Sequence, residues 1–550
     1  MRTFLIPGLL ALVASSALAD VTYNVVGYPD TDAGSFGVLI NGKSTKLATS
    51  NSTYPLWSAN VVGASSSSGY RYVKLSEQGT VLQREKFLRY FVDRKRKSTS
   101  NEFFLREVTQ TTLPKIPQVF KDVRPTPSKA FDDSQIATIH VTADPAIFED
   151  MVAHPLEDRK AIKAGFRYIG ANTVYSAEEV KLKISGHGSR KFQKLSLRIK
   201  FDDEKGETFF DRPIIKLRAQ AFDPTLIREK LYIDALNSAG VPTSQAAWVR
   251  VYVNGKPFGF HLMVEDIETP YIRGTIHHGS SEPEELGSLY QMGSHVLGQE
   301  ATLQYAGPNT TDYHPEIYSN KNRGDNTKAE PMAQLISFFK DLQEYDPSLG
   351  GGIKFWNSRL DLDGFLRSMA MEYLGGAWDA YWWKGNNFFM YFNPTENRWQ
   401  FLPTDFDSTF SDGNLKDVLT TYKQFAARRL ARPGKDHPLI TKLIYKNKEI
   451  NLRFEQILFS LVKGVFNPNV LEPRINAYQK MIQDEVKWDL SIDRSKNPGK
   501  TFGFTLADFH NSIIGPVKNV SIGIKPWIQG RAKDVPPQLQ KVSVKAVVKR

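Results

Sequence analysis

Up to about Val264 the chain is written mostly in short alternating runs, broken by Gly, Asn, Ser and Pro, whereas from Pro331 onward longer helical runs dominate. Strands early and helices late define an α+β class. Residues 20–112 read as a small N-terminal β-sandwich, with strands at Val21 to Val26, Phe36 to Ile40, Leu56 to Val62 and Tyr70 to Leu75. A linker is expected over 113–134, where Pro114, Pro117 and Pro125 fall. Residues 135–270 then supply strands at Ile136 to Val141, Glu179 to Ile184 and Lys194 to Phe201. A helix follows, with Asp223 as N-cap, Pro224 in its first turn, and Gly240 and Pro242 closing it. Trp248 to Val253 and Phe258 to Val264 make a hairpin around Asn254-Gly255. Residues 271–330 read as a polar surface insertion. Residues 331–550 form a helical lobe with one embedded hairpin, Phe388 to Phe392 returning through Trp399 to Leu402.

With no cysteine in 550 residues, disulfides, thiolate zinc sites and cysteine nucleophiles are excluded, and stability must come from burial. The apolar run Phe4 to Ala14 behind Arg2, followed by Ala17-Leu18-Ala19, has the form of a signal peptide cleaved before Asp20. No later run is long enough to span a bilayer, and the basic C-terminal residues do not resemble a GPI signal, so a secreted or cell-wall location by the secretory route is expected. Asn51, Asn309 and Asn519 begin glycosylation sequons. Net charge is +12, from 71 basic and 59 acidic residues, scattered except at Arg94-Lys95-Arg96-Lys97. No groove-reading motif accompanies it, which argues against nucleic acid and for other anionic partners, nucleotide phosphate or wall polymers among them.

The chemistry concentrates in the second half. Asp405 and Asp407 sit two apart beyond a strand, so in extended geometry their carboxylates point the same way and need a cation or a shared proton. Asp379 follows a helix and Asn387 opens the hairpin, and chain return would bring both to Asp405. Magnesium, or manganese, takes such oxygen ligands. The same spacing suits loop caps with Asp405 paired to an arginine, and paired carboxylates also serve glycosidases. For phosphoryl transfer a basic strand is required as well; Lys194, Arg198 and Lys200 share a strand face ahead of a helix carrying Glu229. Strand, strand, helix, strand, strand is the order of a kinase small lobe and of many other α+β domains.

Gly186-His187-Gly188-Ser189-Arg190 with Phe192-Gln193-Lys194, Ile227-Arg228-Glu229-Lys230-Leu231, Val251 to Gly255 with Gly259 to Glu265, Trp378-Asp379, Asn386-Asn387-Phe388 and Asp405-Phe406-Asp407 together resemble the CotH, or spore-coat-protein-H, family. The resemblance implies an atypical two-lobed protein-kinase-like fold, ATP and magnesium, and transfer of phosphate to Ser or Thr of exported proteins. Position by position it makes Asp379 the catalytic base and Asn387 and Asp405 metal ligands, with Asp407 a third. Lys194 would contact phosphate with Glu229 as its ion-pair partner, and Arg190, Lys200 and Glu265 would complete the nucleotide-binding set. The layout is most similar to the fungal branch, which includes surface invasins that bind host-cell receptors; a non-catalytic adhesin with a host or wall partner is the alternative. Phe388 to Glu396, where those invasins carry a polar recognition segment, is apolar here. His-Arg-Asp and Asp-Phe-Gly signatures are absent.

Overall fold

The computed structural model describes residues 19–30, 34–65, 67–91, 96–121, 128–202, 206–279, 286–294, 296, 298–324, 332–411, 420–425 and 436–539. The expected signal peptide (apart from Ala19), residues 94 and 95 of the basic run and parts of the expected linker and insertion lie outside them. Two compact units result, one of residues 1–110 with 167–175 and one of 111–166 with 176–550.

In the first unit β1 (Ala19–Val26) pairs with β4 (Leu56–Ala64) and β7 (Glu102–Phe103), while β2 (Ser35–Ile40) pairs with β3 (Lys43–Lys46) and β5 (Tyr70–Leu75), and β5 with β6 (Val81–Arg84). Alternation in these strands sends Val21, Tyr23 and Val25 of β1 and Phe36, Val38, Tyr70 and Tyr72 of β2 and β5 into one shared core. The two sheets are a three-stranded and a four-stranded one.

The second unit begins with β8 (Ala137–Ala143), helix α1 (Pro145–Ala153), β9 (Ile162–Gly170), β10 (Thr173–Ser185), β11 (Ser196–Lys200) and β12 (Ile214–Arg218). After helix α2 (Arg228–Ser238) come β13 (Ala246–Val253) and β14 (Lys256–Glu265), and the strands close into a barrel in the order β10-β11-β12-β14-β13-β8-β9. Three strands were expected ahead of α2, but β9 and β12 add two more; in β12 Ile215 and Leu217 alternate inward against Leu197 and Ile199. The helix also starts later than the Asp-Pro pair suggests. Leu226 takes φ +54, so Pro224 lies in a turn; the Asp223 carboxylate still accepts from the amides of Ile227 (3.0 Å) and Arg228 (2.9 Å), which does the work of a cap.

Residues of the expected surface insertion instead build structure: β15 (Leu289–Met292) and β16 (Tyr318–Asn322) join β17 (Phe388–Asn393) and β18 (Arg398–Pro403) in one sheet ordered β16-β15-β17-β18. Their apolar positions, Leu289, Tyr290, Met292, Ile317 and Tyr318, are buried, which a polar average over the segment concealed. Leu113, Ile116, Val119 and Phe120, in the stretch expected as a linker, pack on the core of this second unit. Helices α3 (Ala333–Glu344), α4 (Leu362–Gly375), α5 (Tyr381–Lys384), α6 (Lys448–Gly464) and α7 (Pro468–Leu490) all contribute to that core. Among the described residues no helix is long and apolar enough to cross a membrane.

Candidate functional site

Three elements bring the acidic residues together. Hairpin β17–β18 pairs Phe388 with Pro403, and the Thr404 amide donates to the Asn387 carbonyl (3.0 Å), so Asn387 and Asp405 emerge side by side at its open end. Both take left-handed backbone, φ +59 and +61, a conformation that Asn and Asp tolerate and that recurs where function holds the chain in place. Phe406 anchors the turn between the two aspartates by packing on Tyr232 of α2, ring centroids 5.1 Å apart. Helix α4 ends at Gly376 in the left-handed region (φ +61), turning the chain through Trp378-Asp379 toward the same end. Gly375 is required there, since a Cβ would come within 2.3 Å of the Tyr232 ring.

The third element is β12, and it carries the residue that organises the site. Arg218 Nε donates to Glu229 (2.8 Å), Nη1 to Asp405 (2.9 Å), and Nη2 to both Asp405 and Asp407, the latter at 3.0 Å. Glu229 lies in the first turn of α2 and is buried. Asp379 stands beside them: Lys384 donates to it at 2.6 Å, and Asn387 Nδ2 donates to its carbonyl (2.9 Å) and carboxylate (3.2 Å).

Charge in this cluster is out of balance. Burial opposes the positive charge of Arg218, but Asp405, Glu229 and Asp407 outweigh it and hold the guanidinium above its usual range. Burial raises Glu229, with Arg218 acting against it. Asp407 is pushed up to about 8 by burial and then by Asp405; Arg218 relieves it in part, while Glu229 and Asp379 push the same way as Asp405. The named groups amount to four carboxylates (Glu229, Asp379, Asp405, Asp407) against two cations (Arg218, Lys384). By donor chemistry and charge this set fits a hard divalent cation. By arrangement it is a guanidinium cage: among the described residues no three acidic or histidine side chains are grouped as a metal site.

Several expected roles are redistributed. Lys194 does not pair with Glu229. It donates to Asp489 of α7 (2.8 Å) and to the Phe260 carbonyl (2.7 Å), and Asp489 also accepts from Arg494 (2.6 Å). Lys194 lies just before β11, where it faces the end of α7, and its largely buried ammonium takes the buried carboxylate within reach. Glu265 is likewise engaged away from the acidic cluster, with Arg212 (2.7 Å) and Gln245 (3.1 Å). Arg190 reaches back to the Ile184 carbonyl (3.5 Å) from a 3-10 turn, and Lys200 lines an open basic cleft with Arg198, Lys181 and Lys183. Arg228, Glu229 and Lys230, charged neighbours in the first turn of α2, are all buried.

Arg218 and Lys384 were not anticipated. For Arg218 the signal was present in Ile214-Ile215-Lys216-Leu217-Arg218, whose alternation marks a strand with basic residues on one face. Lys384 carried no comparable signal, because its partner depends on the short turn of α5.

A family model described as CotH kinase protein matches residues 182–515, a span that contains Arg218, Glu229 and all of the acidic residues. Invasin CotH3 of Rhizopus delemar is 31% identical over 95% of this chain and 85% of its own length, and Invasin CotH2 of the same organism is 29% identical over 90% and 78%. The Inner spore coat protein H of Bacillus subtilis is 21% identical over 56% of this chain and 78% of its own. With the family model covering more than half of its residues, this chain belongs to the CotH family.

Proposed function

We propose that the chain is an atypical protein kinase of the secretory route, two-lobed, with the barrel and α2 as its small lobe and the sheet and helices after it as its large lobe. The reading places ATP at the acidic cluster and Ser or Thr hydroxyls of exported proteins as acceptors. The observation that carries it is the convergence of three carboxylates on Arg218 with Asp379 and Lys384 beside them, leaving negative charge in excess. Unbalanced buried charge is costly to the fold, and phosphoryl transfer is a reaction that uses it.

In this reading Asp405 and Asp407 would hold magnesium, which would supply neutralisation of charge on the phosphates. Arg218 takes the place expected of Lys194: it ends the strand before α2, Glu229 fixes its orientation, and its fork of donors suits phosphate oxygens. Asn387 and Lys384 hold Asp379, which accepts the proton as the acceptor hydroxyl attacks the terminal phosphorus. The bond from that phosphorus to the bridging oxygen breaks, and ADP leaves with the electron pair.

Purified protein incubated with magnesium, ATP and a Ser/Thr-rich acceptor should transfer phosphate and melt at a higher temperature with ATP than without it. Neither transfer nor magnesium-dependent stabilisation would sink the reading. The names of the invasin relatives favour a second one, a surface adhesin on the same scaffold. Cell attachment that survives Asp405→Ala, from protein that transfers no phosphate, would support it.

A further inference from the structure

The face of the barrel that carries Arg218 continues away from the acidic cluster as a ladder of cations. Residues two apart on a strand share a face, so Lys216 lies on Arg218's side of β12. Register then places Lys216 opposite Arg198, Arg198 opposite Lys183, and Lys200 opposite Lys181. Like charges directly opposed across strands are destabilising. Two acidic residues relieve the near end: Asp266 is 2.8 Å from Lys216, and Asp266 and Glu268 are each 3.7 Å from Arg198. Farther out, Lys181, Lys183, Arg198 and Lys200 join Arg159 and Lys160 around a cleft of about 350 Å³, and Asp158 is the acidic residue in its lining. Arg159 is itself paired with Asp150 and Glu157.

Among the described residues only Ala161 joins these charged groups in the lining, which offers no apolar wall on which a nucleobase or other ring would pack. Its chemistry suits a flexible chain bearing several negative charges. Its distance from the acidic cluster is set by β11: Ser196 Oγ accepts from the amide next to Arg218 (Ala219, 3.0 Å), and Lys200 lies four residues further on. At about 3.3 Å per residue that is roughly 13 Å, the span of about four residues of an extended peptide.

The geometry points to an acidic segment of the acceptor protein as the occupant of this cleft, with glutamate or aspartate about four residues from the Ser or Thr that receives phosphate. The inference rests on the phosphotransferase reading for its acceptor, but its docking step is measurable alone. A fluorescein-labelled peptide, Ser in an Ala/Gly background with three Glu beginning four residues away on either side, should bind at low salt and weaken as ionic strength rises. Lys181→Glu/Lys183→Glu should weaken that binding by about tenfold or more, with Lys181→Gln/Lys183→Gln in between, while a Glu-free peptide is unaffected. Because both substitutions remove opposed like charges, neither should lower the melting temperature. In the transfer assay the acidic peptide should show a KM lower by about tenfold at similar kcat, and the advantage should vanish in the charge-reversed variant. Transfer with no preference for acidic peptides, or a charge-reversed variant that raises the KM of ATP and leaves that of the peptide alone, would overturn the proposal. Acidic-peptide binding that responds to Lys181→Glu/Lys183→Glu in protein without transfer activity would uphold the docking surface and bring down the kinase reading.

Discussion

Two buried clusters of charge in the second unit differ in their balance, and that difference separates structure from chemistry. At the end of α7, Asp489 is shared by Lys194 and Arg494 and accepts from the Phe260 amide (2.9 Å). Burial works against its negative charge, yet the two cations outweigh burial and hold Asp489 down at about 2. At the open end of β17–β18 the proportion is reversed: Arg218 serves three carboxylates, and Asp407 is pushed up to about 8. A cluster with cations to spare ties strand to helix. One with carboxylates to spare is stable only with a proton or another cation, and that demand is what a nucleotide and its metal would meet.

The contrast breaks most visibly in activity. Asp405→Ala and Arg218→Ala should each lower kcat for phosphate transfer by about a thousandfold, whereas Lys194→Met should leave the KM for ATP unchanged. A Lys194 variant that loses nucleotide binding while still folded would return the phosphate contact to Lys194. Stability should show the reverse order. Asp489→Ala strips two buried cations of their shared carboxylate and should cost about 3–5 kcal/mol in denaturant unfolding. Lys194→Met leaves Asp489 with Arg494 and should cost less, about 1–2 kcal/mol.

The smallest effect lies in the pH dependence. Asp407 binds its proton more tightly folded than unfolded, so its contribution to stability is fully present below its ordinary value of 3.8 and is lost as pH rises toward about 8. Asp489 has the opposite sign: its contribution is present above 3.8 and lost as pH falls toward about 2. Asp407→Asn should therefore flatten the decline of melting temperature between about pH 4 and 8 and leave the acid limb intact. An unchanged alkaline slope in that variant would show that Asp407 is ionised throughout, and the asymmetry between the clusters would disappear.

Much of the local structure was legible from the chain. The alternation of Tyr70 to Leu75 matches β5 residue for residue, and the Asn254-Gly255 hairpin and the β17–β18 hairpin fall where turn chemistry puts them. Convergence of Asn387, Asp405 and Asp379 followed from the same reasoning, since a hairpin returns its ends together. Illegible were β15 and β16, four- and five-residue strands hidden in a segment of polar average composition, and the start of α2, delayed by the left-handed Leu226.

Sequence by itself determined what nearest neighbours decide: the strongly patterned strands and helices, their apolar faces, and which end of the hairpin bears the acids. Only the tertiary structure decided which charges meet. Lys194 finds Asp489 across 295 positions of the chain, and Arg218 finds Asp405 across 187. Spacing cannot choose among such partners, because a buried charge is settled by whatever opposite charge packing brings within reach, and by how far burial removes water from both.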